Sequence, residues 1–470
     1  MDKEFCLLDE PWIKVLDEQN VTREVSLIDI FTNAHRYKRL AGETVTQDAA
    51  ILRLLLAVAI TVFYRYRADG CEDCVLEYDD PEEEILNRWS EYWDSGAFNA
   101  NVFQEYLETY RERFYLFHPE TPFWQVADLE DGTNYSVINL FGNIKESNNA
   151  ASRHHFHMTD GSYIDNISYA EAARWIVYNN AYSVNVKTKV DGENKPTGVG
   201  RLGQLGLIIV EENTLYKIMM MNLCALNSNG EVWNYPKPIW EKEPRTRAGV
   251  EIVAPDNLPQ LYTIQSRRLL LYRDNEKILG YRSIGGDYYS AVDDLTEPMT
   301  LLRRDGKEKI SFKPKKHAKE IVAWREFPSL LVENELKPGI ICWLENLMHN
   351  SVIDNKQIVT FRMIGLEYGD GMSYTNGELI DEALSMSNEF LNQVGKVWIT
   401  YITDQVNKCE DVVQKAYYKF AKNLSLYLYK GDTSGIKKIK EVLAVEYYFK
   451  IDKAFREWLI SIEPSSSKRD

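Results

Sequence analysis

The chain has 470 residues, 44% hydrophobic and 12% aromatic, which supports packed cores, excludes a disordered polypeptide and predicts two or three domains. Its formal net charge is -16. That excludes a protein that coats nucleic acid by itself, since unspecific binding rests on cations that neutralise phosphates; any nucleic-acid contact must be local or shared with partners.

Met1-Asp2-Lys3-Glu4 is mixed in charge, and Phe5-Cys6-Leu7-Leu8 is too short for the apolar core of a signal peptide, so none is expected. The longest apolar run, residues 54–63, is about half of what a membrane span needs and lies between Arg53 and Arg65. It predicts a buried helix in a cytoplasmic protein without membrane contact. Cys71 and Cys74 form a CxxC, but no second pair follows at zinc-ribbon spacing, so two reduced thiols are expected rather than a metal site. The acidic run at residues 77–84 predicts a helix start, where carboxylates meet the positive end of the dipole.

His154-His155-Phe156-His157 is a histidine cluster. On a strand His155 and His157 would share a face, but Asp160 alone does not complete a recognisable ligand set. The other reading is a polar, aromatic loop that meets RNA or phosphate through imidazole N–H groups and Phe156 stacking. Next, after Lys187, Lys189 and Lys195, comes Thr197-Gly198-Val199-Gly200-Arg201-Leu202-Gly203-Gln204-Leu205-Gly206. No Gly-Lys-Ser/Thr follows Gly203, and Gly206 leads into the strand-like Leu207-Ile208-Ile209-Val210, so neither a Walker loop nor a dinucleotide fingerprint fits. The segment reads either as a backbone surface for a large anionic ligand or as a flexible loop between strands. Arg267, Arg268 and Arg273 follow, and residues 301–325 carry nine Lys or Arg against three acids. Phosphate, an acidic protein face or plain solvation would each suit that local excess.

Fourteen of fifteen prolines lie at or before Pro338 and none falls between Gly339 and Glu463, so the C-terminal part is free to be helical. Ile380, Leu384, Leu391, Val394, Trp398 and Ile402 form one stripe; Val413, Tyr417, Phe420, Leu424 and Leu428 form a second. The predicted class is α+β: a large mixed domain with long loops over residues 1–335, then an all-α helical bundle of four-helix type over 336–470, the boundary falling near Lys337-Pro338-Gly339.

Five segments occur in an order that resembles one family: Leu7-Leu8-Asp9-Glu10-Pro11-Trp12-Ile13, Pro122-Phe123-Trp124-Gln125, Ser168-Tyr169-Ala170-Glu171-Ala172-Ala173-Arg174-Trp175, the glycine segment, and Tyr262-Thr263-Ile264-Gln265-Ser266-Arg267-Arg268. The chain is similar over nearly its whole length to the CasA family, large subunits of type I-E CRISPR Cascade surveillance complexes. The resemblance implies a non-enzymatic DNA reader, without cofactor, at the foot of an RNA-guided complex. Such subunits inspect the protospacer-adjacent motif (PAM) of duplex DNA, start strand separation and help recruit a helicase-nuclease.

Carried over residue by residue, the family's glycine loop falls on Gly198, Gly200, Arg201 and Gly203, which would enter the minor groove. Its basic finger falls on Arg282, with Lys277 as the alternative, and here the sequence departs from the family's lysine at the first choice. Its strand-separating wedge falls on residues 368–374, with Asp370, Gly371 and Met372 in place of the polar amides frequent in the family. A loop over residues 139–165 matches the element that anchors to neighbouring subunits and the guide RNA; Asn148, Asn149, Arg153, His155 and Phe156 would make those contacts. Two other readings stay open from the residues alone: a scaffold subunit that does not read DNA, and a metal-dependent nuclease built on the 154–157 histidines.

Overall fold

The computed structural model describes residues 3–142, 167–190, 192–244, 252–275, 277–289, 297–305, 311–317, 322–332, 337–353, 357–373, 375–392, 395–428 and 433–465. At its centre runs the helix Val45–Arg65, capped by the Thr44 hydroxyl, which accepts the Gln47 amide at 3.1 Å. Its apolar residues go all the way round, and the helix is buried on nearly every side, as expected of the run at 54–63. The one cation in its middle, Arg53, is held by a bidentate pair with buried Glu297 (2.5 and 2.8 Å) and lies 3.6 Å above the Tyr262 ring. The acidic run likewise starts a helix, Pro81–Ser95, with the Asp80 carboxylate accepting the Glu83 amide.

Helix Tyr169–Tyr182 packs beside the central helix, started by the Ser168 hydroxyl on the Glu171 amide at 3.1 Å. From its buried face Arg174 reaches the Glu43 carboxylate at 2.7 and 3.0 Å and the Trp12 carbonyl at 2.6 Å. Burial works against the Glu43 charge, but Arg174 and Lys14 together outweigh it and hold the carboxyl at about 2.

The sheets among the described residues have two or three strands each. Three matter for the site: the hairpin Arg267–Asp274/Lys277–Gly285 with Thr133–Ser136 on its edge, the hairpin Lys187–Val190/Glu193–Pro196, and a sheet of Leu207–Glu211, Ile358–Tyr368 and Thr375–Ser387. In the last, Phe361 pairs with Val210 on one side and Leu384 on the other, so one sheet joins chain from both sides of residue 336.

The α+β class with a helical C-terminal region holds, but that region is not helical throughout. Ile380 and Leu384 lie on a strand and point into the core. A spacing of four keeps two residues on one face of a strand as well as of a helix, so the stripe could not tell the two apart. After the hairpin, helix resumes at Lys396–Asp411, carrying Trp398 and buried Ile402, and continues through a π-helical stretch, Val412–Tyr417, into Tyr418–Leu428. The helix Thr433–Ser461 returns antiparallel to it, with Tyr401 against Trp458 and Tyr417 against Tyr447. With Gly339–His349 these are the long helices described after residue 336, and they leave part of the second stripe uncovered: Val413 is buried, but Phe420 and Leu428 are 54% and 61% exposed.

Glu43→Gln should lower stability by about 2 kcal/mol at pH 7, because Arg174 stays buried with a weaker partner. The depressed pKa of Glu43 gives stability that is complete above 4.5 and lost as pH falls toward about 2. The melting-temperature gap between the two proteins should therefore close below pH 4.5; a gap unchanged down to pH 3 would rule out this role.

Candidate nucleic-acid interface

The glycine segment lies mostly inside the protein. A Cβ on Gly200 would sit 2.5 Å from the Ala181 carbonyl, and one on Gly203 would sit 2.0 Å from the Tyr368 hydroxyl. These two glycines let the backbone cross the end of helix Tyr169–Tyr182 and the Tyr368 ring at close range, so the chain's own packing accounts for their missing side chains. Arg201 between them is 5% exposed, its guanidinium 3.9 Å from Glu297. Gly198 is half-buried and stands at the edge. Of the four residues assigned to this loop, it alone reaches toward the surface.

What shapes that edge is Arg267. Buried on the first strand of the 267–285 hairpin, its guanidinium donates to the carbonyls of Val184 (3.0 Å), Thr197 (3.3 Å), Gly198 (2.6 Å) and Ser266 (2.7 Å). Burial pulls its pKa down to about 10, so it remains charged at neutral pH. Arg267 thereby ties together the two chain segments that enter and leave the 187–196 hairpin. Its neighbour Arg268 turns the other way, onto buried Asp287 at 2.5 Å.

The segment so fixed meets the tip of the 358–387 hairpin through one side chain, Asn185. Its carbonyl oxygen accepts the Gly198 amide at 3.0 Å, its side-chain amide donates to the Gly371 carbonyl at 3.2 Å, and its backbone N–H donates to the Met372 carbonyl at 2.8 Å. The tip residues Asp370, Gly371 and Met372 are exposed. Gly371 (φ 62°) and Met372 (φ 55°) are both left-handed, which is free for glycine and strained for methionine. Lys316 completes the edge, 3.6 Å from the Met372 sulfur and 5.3 Å above the Tyr368 ring. Tyr368 in turn donates to the Tyr182 carbonyl at 2.8 Å, so the base of the tip is pinned to the interior. The structure thus brings Gly198 together with the residues assigned to the wedge, through Asn185 and Arg267. Asn185 carried no signal in the sequence, and Arg267 showed there as a charge and as part of a segment that carries the family resemblance, with nothing to mark its backbone partners.

The finger residues lie elsewhere. Arg282 is half-buried on the middle strand of its sheet, donating to the Asn134 side chain (2.9 Å) and to the Leu129 (3.1 Å) and Glu130 (2.9 Å) carbonyls. It holds the 129–134 turn in this conformation. Lys277 is exposed but opposite Asp274, at the other end of the hairpin from the Arg267 and Gly285 pair, about 26 Å along the strand. Asn148, Asn149, Arg153, His155 and Phe156, with the rest of the histidine cluster, lie outside the described residues. Cys71 is exposed and Cys74 half-buried, both as free thiols, and among the described residues no group of three His, Cys, Asp or Glu side chains is arranged to hold a metal.

Comparison with known proteins gives a consistent picture. The family described as CRISPR-associated protein Cse1 matches residues 7–470. A curated relative, the CRISPR-associated protein CasA/Cse1 of Thermus thermophilus, is 28% identical over 338 residues; the match takes in 70% of this chain and 60% of that relative's length. Among solved structures, Thermobifida fusca Cse1 superposes with a TM-score of 0.81 at 25% identity, over 98% of this chain and 87% of the other. A chain of a structure described as a CRISPR RNA-guided surveillance complex shares the fold, with a TM-score of 0.67 at 16% identity over 97% of this chain and 89% of that one.

Gly203→Ala is expected to cost about 1–3 kcal/mol by overpacking, and the melting-temperature drop it causes should be smaller in a Tyr368→Phe background, which lacks the nearest clashing atom, than in the unmodified chain. An equal drop in both backgrounds would contradict this. In Arg267→Lys, which cannot fan over four carbonyls, hydrogen exchange of the amides of Thr197, Gly198 and Gly200 should quicken about tenfold or more while the 358–387 ladder keeps its protection. Equal protection in both proteins would show that the clamp is not needed.

Proposed function

Because the chain belongs to the CRISPR-associated protein Cse1 family, we propose that it is a non-catalytic subunit of an RNA-guided surveillance complex that reads a short motif in duplex DNA beside the target. The observation that carries this reading is the Asn185 bridge, which fastens an exposed, narrow tip to the rigid interior. Gly371 and Met372 present backbone and one thin apolar side chain, a shape suited to the minor groove. That groove has a degenerate donor and acceptor code, so several related motifs should be accepted. Met372, already strained and 43% exposed, is the natural wedge: an apolar side chain entering a base step unstacks it, at about a few kcal/mol that pairing with guide RNA then offsets.

In this reading Gly200, Arg201 and Gly203 support the tip from within and do not touch DNA, and Arg282 shapes a neighbouring turn. The net charge of -16 requires that other subunits and the guide RNA hold most of the duplex. The 139–165 segment is the proposed contact to those partners, and recruitment of a helicase-nuclease follows strand opening. A cytoplasmic location accords with that role.

The test is binding of the reconstituted, guide-loaded complex to a library of duplexes that differ in the flanking motif. Asn185→Ala should reduce the preference for motif-bearing over motif-free DNA by roughly tenfold, about 1.4 kcal/mol, with assembly intact. An unchanged preference would refute the role of the tip.

A further inference from the structure

The second apolar stripe of the C-terminal region is broken at one place. Val413, Tyr417, Phe420 and Leu424 follow α-helical spacing, so an unbroken α-helix would turn all four to one side. Val413 is buried, but beyond it the seam with helix Thr433–Ser461 is filled by the fully buried Ala421 and Ser425, while Leu424 is half-buried and the Phe420 ring is exposed. The cause is the π-helical stretch Val412–Tyr417, whose wider turns take up about one residue more than an α-helix would and so turn everything after it back by roughly 100°. Positions 421 and 425 therefore stand where 420 and 424 would. A methyl group and a hydroxyl occupy the seam in place of a phenyl ring and an isobutyl group, against the ordinary preference for burying the larger apolar side chain.

The displaced part is the end of the helix alone. Before the π-helical stretch, Ile402 and Val406 are buried, and Glu410 accepts from Arg325 at 2.7 and 3.0 Å, with the same guanidinium 4.2 Å above the Tyr448 ring. The wide turns are held by contacts nearer the surface: Lys440 donates to the Gln414 side chain at 2.5 Å, and Tyr417 meets Tyr447 edge-on at 5.6 Å. Two preferences thus oppose each other in one segment, these contacts favouring the wide turns and apolar burial favouring regular α-helix. We propose that residues 412–428 form a two-register helix. In the register described here Phe420 faces solvent. In the other, residues 412–417 wind as α-helix, residues 418–428 rotate by roughly 100°, Phe420 and Leu424 enter the seam, and Ala421 and Ser425 leave it. The anchored helix upstream makes this a rotation in place, a register shift that displays or withdraws an aromatic ring on the C-terminal region.

The test uses the full-length chain carrying Ser425→Cys, a near-isosteric probe whose thiol is buried in the register described here and exposed in the other. Alkylation is followed by site-resolved mass spectrometry, which separates position 425 from the native cysteines, with slow label so that the rate reports the population of the open form. The thiol should react well above the rate set by global unfolding, read from buried Cys224 in the same sample. Adding Phe420→Ala, which removes the apolar gain of the α register and leaves the present seam untouched, should slow the reaction about tenfold. Deleting Gln414 removes the extra residue and should make the thiol react like one on an exposed helix face. Reaction no faster than that of Cys224 would overturn the proposal. So would a rate indifferent to Phe420→Ala, because fraying of the last turns uncovers position 425 whatever stands at the already exposed position 420, and so would a thiol that stays protected when Gln414 is deleted.

Discussion

A single buried guanidinium organises this edge of the molecule. Arg267 is surrounded by carbonyl oxygens, and a charge taken out of water without adequate partners would be expensive. Four hydrogen bonds from one planar fork offset that cost, and because their acceptors lie on three separate stretches of chain, none of the three can drift without loosening the others. Asn185 follows Val184, one of those acceptors, and bonds to Gly198, another. The exposed tip of the 358–387 hairpin is therefore as firmly placed as the sheet that carries Arg267.

The buried glycines belong to the same economy of space. Gly200 and Gly203 allow the segment to pass under Ala181 and Tyr368, which places Gly198 at the surface beside Asn185. A substitution at Gly200 or Gly203 accordingly reports on packing before it reports on any ligand. The cations divide in a similar way. Arg53, Arg174 and Arg268 are locked to buried or half-buried carboxylates, and Arg282 is turned onto carbonyls, whereas Arg303 and Lys316 face outward.

Much of the fold was legible in the sequence. Apolar residues on all sides of the 45–65 helix required burial, the acidic run announced a helix start, and the proline-free stretch after Pro338 does contain the longest helices. The 358–387 hairpin was hidden because Ile380 and Leu384 suit either periodicity. At the site, the glycine segment and the hairpin tip were both visible, but their relation was not. Whether a missing side chain serves a ligand or the chain itself depends on what lies opposite, and Ala181 and Tyr368 are brought there by tertiary packing alone. The same holds for Arg267, whose partners are backbone carbonyls that no side-chain pattern marks, and for the bonds of Arg282 to the Leu129 and Glu130 carbonyls.

The most direct measurement is photo-crosslinking from a benzophenone side chain introduced at position 372 of the chain within the guide-loaded complex. If the tip enters the duplex at the flanking motif, crosslinks should fall on the base pairs immediately beside the protospacer and depend on the motif. Crosslinks confined to neighbouring subunits, or spread along the DNA regardless of sequence, would contradict the account.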